Sequence, residues 1–260
     1  MDTVSTETHG RTLVVTIERP GARNAVDGPT ARRLYDAFKA FDADEGLDVA
    51  ILQGRDTGFC AGADLKGVAQ GRGNPILPPD SDIGPMGVTR LRLGKPVIAA
   101  VEGHAVAGGL EVACWCDLRV AAEGAVFGVF CRRFGVPLID LGTVRLPRLI
   151  GASRAMDLIL TGRPVPAAEA HAMGLANYLT PKGGALAKAL EIAAQLSAFP
   201  QLCMRNDRLS ALAQWSLDWD QATAAEVAFG IETLRSGETQ AGAARFAAGE
   251  GRGGKFPSRG

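Results

Sequence analysis

The stretch VIAAVEGHAVAGGLEVACWCDL, Val97 to Leu118, carries a strand, a glycine turn and a helix start in immediate succession. Val97-Ile98-Ala99-Ala100-Val101 is a continuous apolar run after Lys95-Pro96, the pattern of a strand buried on both faces. The run breaks at Glu102-Gly103, passes Ala107-Gly108-Gly109, and resumes from Leu110 to Cys114 as the start of an apolar helix. Such a corner exposes backbone N–H groups that have no partner within the helix, beside the positive end of its dipole. It is suited to hold an oxyanion as it develops. Glu111 lies three residues after Gly108, in the first helical turn, where a carboxylate can exchange protons with whatever the amides bind. Tight turning and dipole compensation alone also produce Gly and Glu at these places, so a second stretch is needed.

That stretch is Phe59-Cys60-Ala61-Gly62-Ala63-Asp64-Leu65-Lys66. It too follows a strand, Val49 to Gly54, and uses small residues where a ligand would touch backbone. Gly62 and Ala63 leave room for an acyl group, and the Ala63 amide is placed to share one hole with that of Gly108. Asp64 reads as a helix N-cap, and Lys66 as a phosphate contact or a solvated charge.

The rest of the chain sets these stretches in an α/β frame. Thr3 to Thr8 and Thr12 to Glu18 predict an opening hairpin, and Asp27 caps a helix from about Thr30 to Asp42 with Leu34, Ala37, Phe38 and Phe41 on one face. Gly67 to Gly87, rich in Gly, Pro and Asp, predicts a long functional or disordered loop. A short strand follows at Asp117 to Ala121, then the segment Ala125 to Gly128, helices near Ser153 to Leu160 and Ala167 to Met173, and an edge strand at Gly174 to Leu179. Gly184 to Ala248 is Ala-rich and helical, with Phe199-Pro200 as a joint. The boundaries are drawn at 1–195 for the α/β core and 196–260 for the helical region.

Bulk properties narrow the function. The 260 residues carry 28 basic and 28 acidic side chains, which gives no electrostatic footprint for nucleic acid or for a membrane surface. No apolar run approaches the roughly 20 residues of a membrane span. Five cysteines and an N-terminus without a signal pattern predict a reduced, cytoplasmic protein. Cys114 and Cys116 form a CxC with no second ligand pair nearby, so no metal is expected. Neither GxGxxG after the first strand nor GxxxxGK[ST] occurs, and GxSxG is absent, which removes dinucleotide, P-loop and nucleophile-elbow readings.

Taken together these segments resemble the enoyl-CoA hydratase/isomerase, or crotonase, superfamily. The resemblance runs through Arg19-Pro20, Arg23-Asn24-Ala25, Phe59 to Leu65, Gly103 to Glu111, Cys116-Asp117-Leu118-Arg119, Ala125 to Gly128, Arg145 to Gly151, Leu160 to Arg163 and Ala170 to Ala176, in order and over nearly the whole chain. It implies a spiral core of repeated ββα turns with C-terminal helices that assist formation of a homotrimer or a hexamer. It implies an acyl-CoA thioester substrate, with coenzyme A part of that substrate and no permanently bound cofactor. The oxyanion amides would be those of Ala63 and Gly108, Glu111 the acid/base, and Ala61, Ala63, Asp64, Leu65, Lys66 and Gly108 the substrate-binding positions. Arg72, Arg90 and Arg92 read as CoA-phosphate contacts or as plain surface charge, and Lys255 as a cation that could reach a ligand in a neighbouring subunit.

Two departures bear on the reaction. The family's second glutamate, four residues after Phe127, is here Cys131, whose thiol, with an ordinary pKa of roughly 8.5, does not replace a carboxylate. Arg132 and Arg133 would have to lower that pKa for Cys131 to act as a nucleophile; a small packed residue is the simpler reading. The family's glycine-rich segment is replaced by Leu138-Ile139-Asp140-Leu141-Gly142, and Asp140 falls one position beyond the catalytic Asp of some dienoyl-CoA isomerases and aryl-CoA dehalogenases. It is read as a second acid or as the N-cap of the helix holding Thr143 and Val144. The sequence therefore predicts enolate chemistry with Glu111. A non-catalytic CoA-ester binder, or a hydrolase or dehalogenase using Asp140 or Cys131, are the alternatives.

Overall fold

The computed structural model describes residues 2–56, 58–71 and 73–251. Arg72 and Lys255 lie outside them. The chain divides into two compact units, one up to Ala193 and one from Ala194.

In the first unit the hairpin forms as the alternation predicts. Strands β1 (Val4–His9) and β2 (Thr12–Ile17) pair antiparallel through a left-handed Gly10. From β2 the sheet continues parallel through β3 (Val49–Gly54), β4 (Val97–Val101), β6 (Leu118–Ala122) and β9 (Tyr178–Thr180). The Val49–Leu52 part of β3 and all of β4 are buried on both faces, as their uninterrupted apolar runs require. Helix α1 (Gly28–Ala43) begins at Asp27, whose carboxylate accepts from the Thr30 amide at 3.0 Å, and it buries Leu34, Phe38 and Phe41. Lys95, itself buried, donates to the Phe41 carbonyl at 3.0 Å and the Asp44 carbonyl at 2.6 Å, so a cation sits on the helix's carbonyl end.

A second, three-stranded sheet corrects the reading of the central stretch. After β4 the chain turns at Gly103, in the left-handed region at φ 54°, into β5 (His104–Val106). Only then does α3 (Gly108–Trp115) start, two residues before Leu110. The corner that presents the Gly108 amide thus stands at the end of β5, not of the parallel sheet. Strand β5 pairs parallel with β7 (Val126–Gly128), which pairs antiparallel with β8 (Val165–Pro166). A three-residue strand has no period to read, so this sheet was not visible in the hydropathy pattern. Single bridges Cys60 to Ala105 and Val26 to Ala63 extend it toward the N-terminus. Successive turns of chain therefore each place one strand in the large sheet and a shorter segment beside the small one. This is the spiral of ββα turns.

Beyond α2 (Leu65–Ala69) the chain to Pro96 has no helix or strand among the described residues, as the Gly, Pro and Asp content of the loop predicts. Helices α4 (Gly142–Ile150), α5 (Ala152–Thr161), α6 (Ala167–Ala172) and α7 (Ala185–Ala198) follow. The second unit contains α8 (Gln201–Ala213), α9 (Trp219–Arg235) and α10 (Glu238–Ala247). Glu238 accepts from the Leu202 and Cys203 amides at 3.1 and 2.9 Å, which tops the N-terminus of α8 with a carboxylate. No helix among the described residues is long and apolar enough to cross a membrane.

Candidate active site

The two segments that carry the amides proposed to share one hole come together by close backbone approach. A β-carbon on Gly62 would lie 2.9 Å from the Gly108 nitrogen, and one on Gly109 would lie 2.1 Å from the Cys60 carbonyl oxygen. Only glycine permits both contacts, so the Cys60–Ala63 segment lies directly on the start of α3. Ala63 is held by its neighbours: the Val26 amide donates to the Gly62 carbonyl at 2.8 Å, and the Asp64 amide to the Val26 carbonyl at 3.0 Å. Among the described residues no acceptor takes the amide of Ala63 or of Gly108, and both residues are half-buried. Ala107, the residue before α3, sits at φ 54°, outside the usual range of a side chain with a β-carbon. Its amide is fixed on the Gly128 carbonyl at 2.9 Å. Backbone strain thus occurs where the corner aims the Gly108 N–H.

Glu111 is 2% exposed on α3. Its Oε1 accepts from the Asp140 amide at 3.0 Å and the Gly142 amide at 2.8 Å, while Oε2 receives no hydrogen bond among the described residues. A β-carbon at Gly142 would stand 2.7 Å from Oε1, so glycine at that position makes room for the carboxylate. Burial, then the neighbouring Asp140 charge, pushes the Glu111 carboxyl up to about 8, against the two amides and Arg145, which act to lower it. One oxygen is anchored; the other is available at a proton affinity suited to exchange near neutral pH.

Asp140 is not the N-cap of α4. Leu141 occupies that place without a side-chain cap, and the Asp140 carboxylate turns away to accept from the Met86 amide at 2.9 Å and from the Thr89 hydroxyl. Its peptide, not its side chain, faces Glu111. Arg145 completes the connection by donating to the Thr89 carbonyl at 2.7 Å and the Asp140 carbonyl at 3.3 Å. The tethered strap carries Met86 onto Gly108: a β-carbon there would meet its sulfur at 2.8 Å. Met86, Thr89 and Arg145 drew no functional reading from sequence. Arg145 and Gly142 stood within quoted motifs, but nothing in their spacing revealed their partners.

Cys131 is buried on a short 3-10 turn, Phe130–Phe134. Burial, followed by the Glu111 charge, pushes its thiol up, and Arg132 does not reverse this. Arg132 donates to the Ile159 carbonyl and Arg133 to the Gly162 carbonyl. The thiolate needed for a nucleophilic Cys131 is therefore disfavoured.

Around the hole, the Ala61 amide donates to the Arg23 carbonyl at 3.1 Å. Asp64 caps α2, accepting from the Lys66 and Gly67 amides at 3.1 and 3.2 Å, and Leu65 and Lys66 are exposed. Arg90 is engaged with the Leu77 and Pro78 carbonyls, and Arg92 is exposed. Among the described residues no three His, Cys, Asp or Glu side chains gather as a metal-binding group.

Comparison with known proteins agrees with this geometry. The family model described as enoyl-CoA hydratase/isomerase matches residues 7–256. The enoyl-CoA hydratase EchA19 of Mycobacterium tuberculosis is 38% identical over 250 residues, covering 93% of this chain and 92% of its own. A carnitinyl-CoA dehydratase of Salmonella typhi is 38% identical over 193 residues, or 72% of each chain. The crystal structure of enoyl-CoA hydratase EchA1 from Mycobacterium marinum superposes with a TM-score of 0.90 at 36% identity, over 99% of this chain and 98% of that one. The chain belongs to the enoyl-CoA hydratase/isomerase family.

Proposed function

We propose that the protein adds water to, or moves the double bond of, an enoyl-CoA thioester, with Glu111 as its only acid/base. The observation that carries this is the Glu111 carboxyl, anchored through Oε1 and free of donors at Oε2 among the described residues, on the helix that opens with the Gly108 amide. In the hydration direction the Glu111 carboxylate takes a proton from water, and the water oxygen bonds to C3. The C2–C3 π electrons move onto the thioester oxygen as an enolate. The Ala63 and Gly108 amides hold that charge without reorganising, an arrangement in which one lost donor typically costs about 2.7–4 kcal/mol. C2 then takes the proton back from Glu111. With Cys131 in place of a second carboxylate, one group both accepts and returns the proton.

Coenzyme A enters as part of the substrate, along the Ala61–Lys66 segment, with Asp64 shaping the turn and Lys66 offering a charge. Hydration is the first reading because the relatives named above are hydratases and a dehydratase. The exposed apolar side chains of the second unit support a homotrimer or hexamer. The test is a mass-spectrometric time course in heavy water on 2-enoyl-CoA and 3-enoyl-CoA esters, wild type beside Glu111→Gln. A mass gain equal to water marks hydration, and deuterium uptake with double-bond movement marks isomerisation; either is expected to vanish in the variant. Undiminished turnover in Glu111→Gln would remove Glu111 from the chemistry. Binding of CoA esters without any turnover would leave a non-catalytic binder.

A further inference from the structure

Arg19 stands just after β2 and reaches two helix caps at once. Its Nη2 lies 3.0 Å from Asp27 Oδ2 and 2.9 Å from Asp64 Oδ2, and its Nη1 donates to the Ala25 carbonyl. Asp27 and Asp64 are the N-caps of α1 and α2, and each spends its other oxygen, Oδ1, on its own helix amides. One guanidinium therefore joins the starts of two helices. The Arg19 side chain is 17% exposed, which keeps these contacts largely out of water.

Ala63 directly precedes the second of these caps and bridges to Val26, which directly precedes the first. The Val26 peptide bonds to Gly62 on one side and to Asp64 on the other, leaving the Ala63 N–H pointing away from this ladder. The loop from Arg19 is itself rigid: Asn24, buried and left-handed at φ 56°, donates to the Arg55 and Gly58 carbonyls at 2.9 and 2.7 Å and accepts from the Arg19 amide at 3.0 Å. Without the guanidinium, two carboxylates that each lie within 3.0 Å of one nitrogen would face each other unneutralised. Asp64 is covalently next to Ala63, so relief of that repulsion moves the amide.

We infer that Arg19 is a positioning residue of the oxyanion hole, fixing the Ala63 donor through the Asp27 and Asp64 caps. This rests on the function proposed above. An oxyanion donor displaced by about 1 Å costs on the order of a hundredfold in rate, while binding of the remote parts of the ligand is little affected. The role is thus separable from general stability.

The test uses the full chain and acetoacetyl-CoA, a probe whose enolate has its own near-ultraviolet band. For wild type, Arg19→Ala and Arg19→Lys, the pH midpoint of enolate formation in the bound probe is measured alongside the affinity for free CoA and kcat and KM on the enoyl ester. Arg19→Ala is expected to shift the midpoint upward and to lower kcat by about tenfold to a hundredfold. CoA affinity should stay within about twofold, since CoA alone makes no oxyanion. Added guanidinium ion should restore part of the loss. Lys should restore less than the native side chain, because a point charge does not reproduce the fork that spans two carboxylates. Should Arg19→Ala not fold, Arg19→Gln keeps most of the bulk and a donor but removes the charge between the two carboxylates, and the same upward shift is expected. An unchanged midpoint in the folded variant overturns the role of Arg19 alone. A wild-type protein that binds the probe without enolising it overturns the hydratase reading and, with it, this inference.

Discussion

Glu111 combines features that a structural glutamate in a first helical turn does not need. A carboxylate there for the dipole alone would remain solvated and ionised. This one is buried beside Asp140, and its affinity for a proton is raised to about 8. Because the proposed reaction begins from the carboxylate, kcat/KM should rise about tenfold per pH unit below pH 8 and level off above it. A profile that falls through that range would show the protonated form to be the active one. The same shift bears on stability. The unfolded chain releases this proton near the ordinary value of 4.5, whereas the folded chain holds it until about 8. Its contribution is therefore complete below the ordinary value and is lost as pH rises through the folded one. Glu111→Gln, which keeps an acceptor for the Asp140 and Gly142 amides, carries no such loss. Urea midpoints of the two proteins at pH 5 and pH 9 should diverge in favour of the variant at the higher pH.

At the scale of elements, the site depends on how α3, α4 and the strap before β4 are tied. The Asp140 peptide holds Glu111 and its carboxylate holds Met86 and Thr89, so one residue fixes the acid/base to the loop that lies on Gly108. Asp140→Ala leaves the buried Met86 amide without its acceptor, at a cost of about 1–3 kcal/mol, and should lower the melting temperature and kcat together. Asp140→Asn keeps the acceptor oxygen and the peptide. If Asp140 is a tether, this variant retains most of the activity; if it loses as much as Glu111→Gln, Asp140 is a second acid after all. This division of labour also explains what the sequence could reveal. Strands β2, β3 and β4 announce themselves by apolar runs, the caps Asp27 and Asp64 by residue type, and the Ala63 and Gly108 corner by small residues after strands. Strand β5 did not, being too short for a period. The direction of the Asp140 side chain did not either: its partners lie more than fifty positions away in the chain, and the choice between capping α4 and reaching the strap is made by packing.

At the scale of the whole molecule, the second unit carries apolar side chains that it does not bury. Trp219 is 85% exposed, and Phe246, Leu212 and Trp215 are more than half exposed. Single exposed apolar residues need no explanation, but two exposed tryptophans together with exposed Leu, Ile and Phe side chains of α8, α9 and α10 are costly to leave in water, at roughly 25 cal/mol per Å² of apolar surface. An intersubunit surface would remove that cost and give the helical unit a purpose apart from the proposed chemistry, every residue of which is drawn from the first unit. Light scattering on the purified chain should then give three or six times 27.1 kDa. Trp219→Glu, which introduces a charge without touching any residue assigned to the reaction, should shift the distribution toward smaller species, with the dependence on protein concentration that linked assembly requires. A monomeric wild type would mean that these side chains serve no self-association.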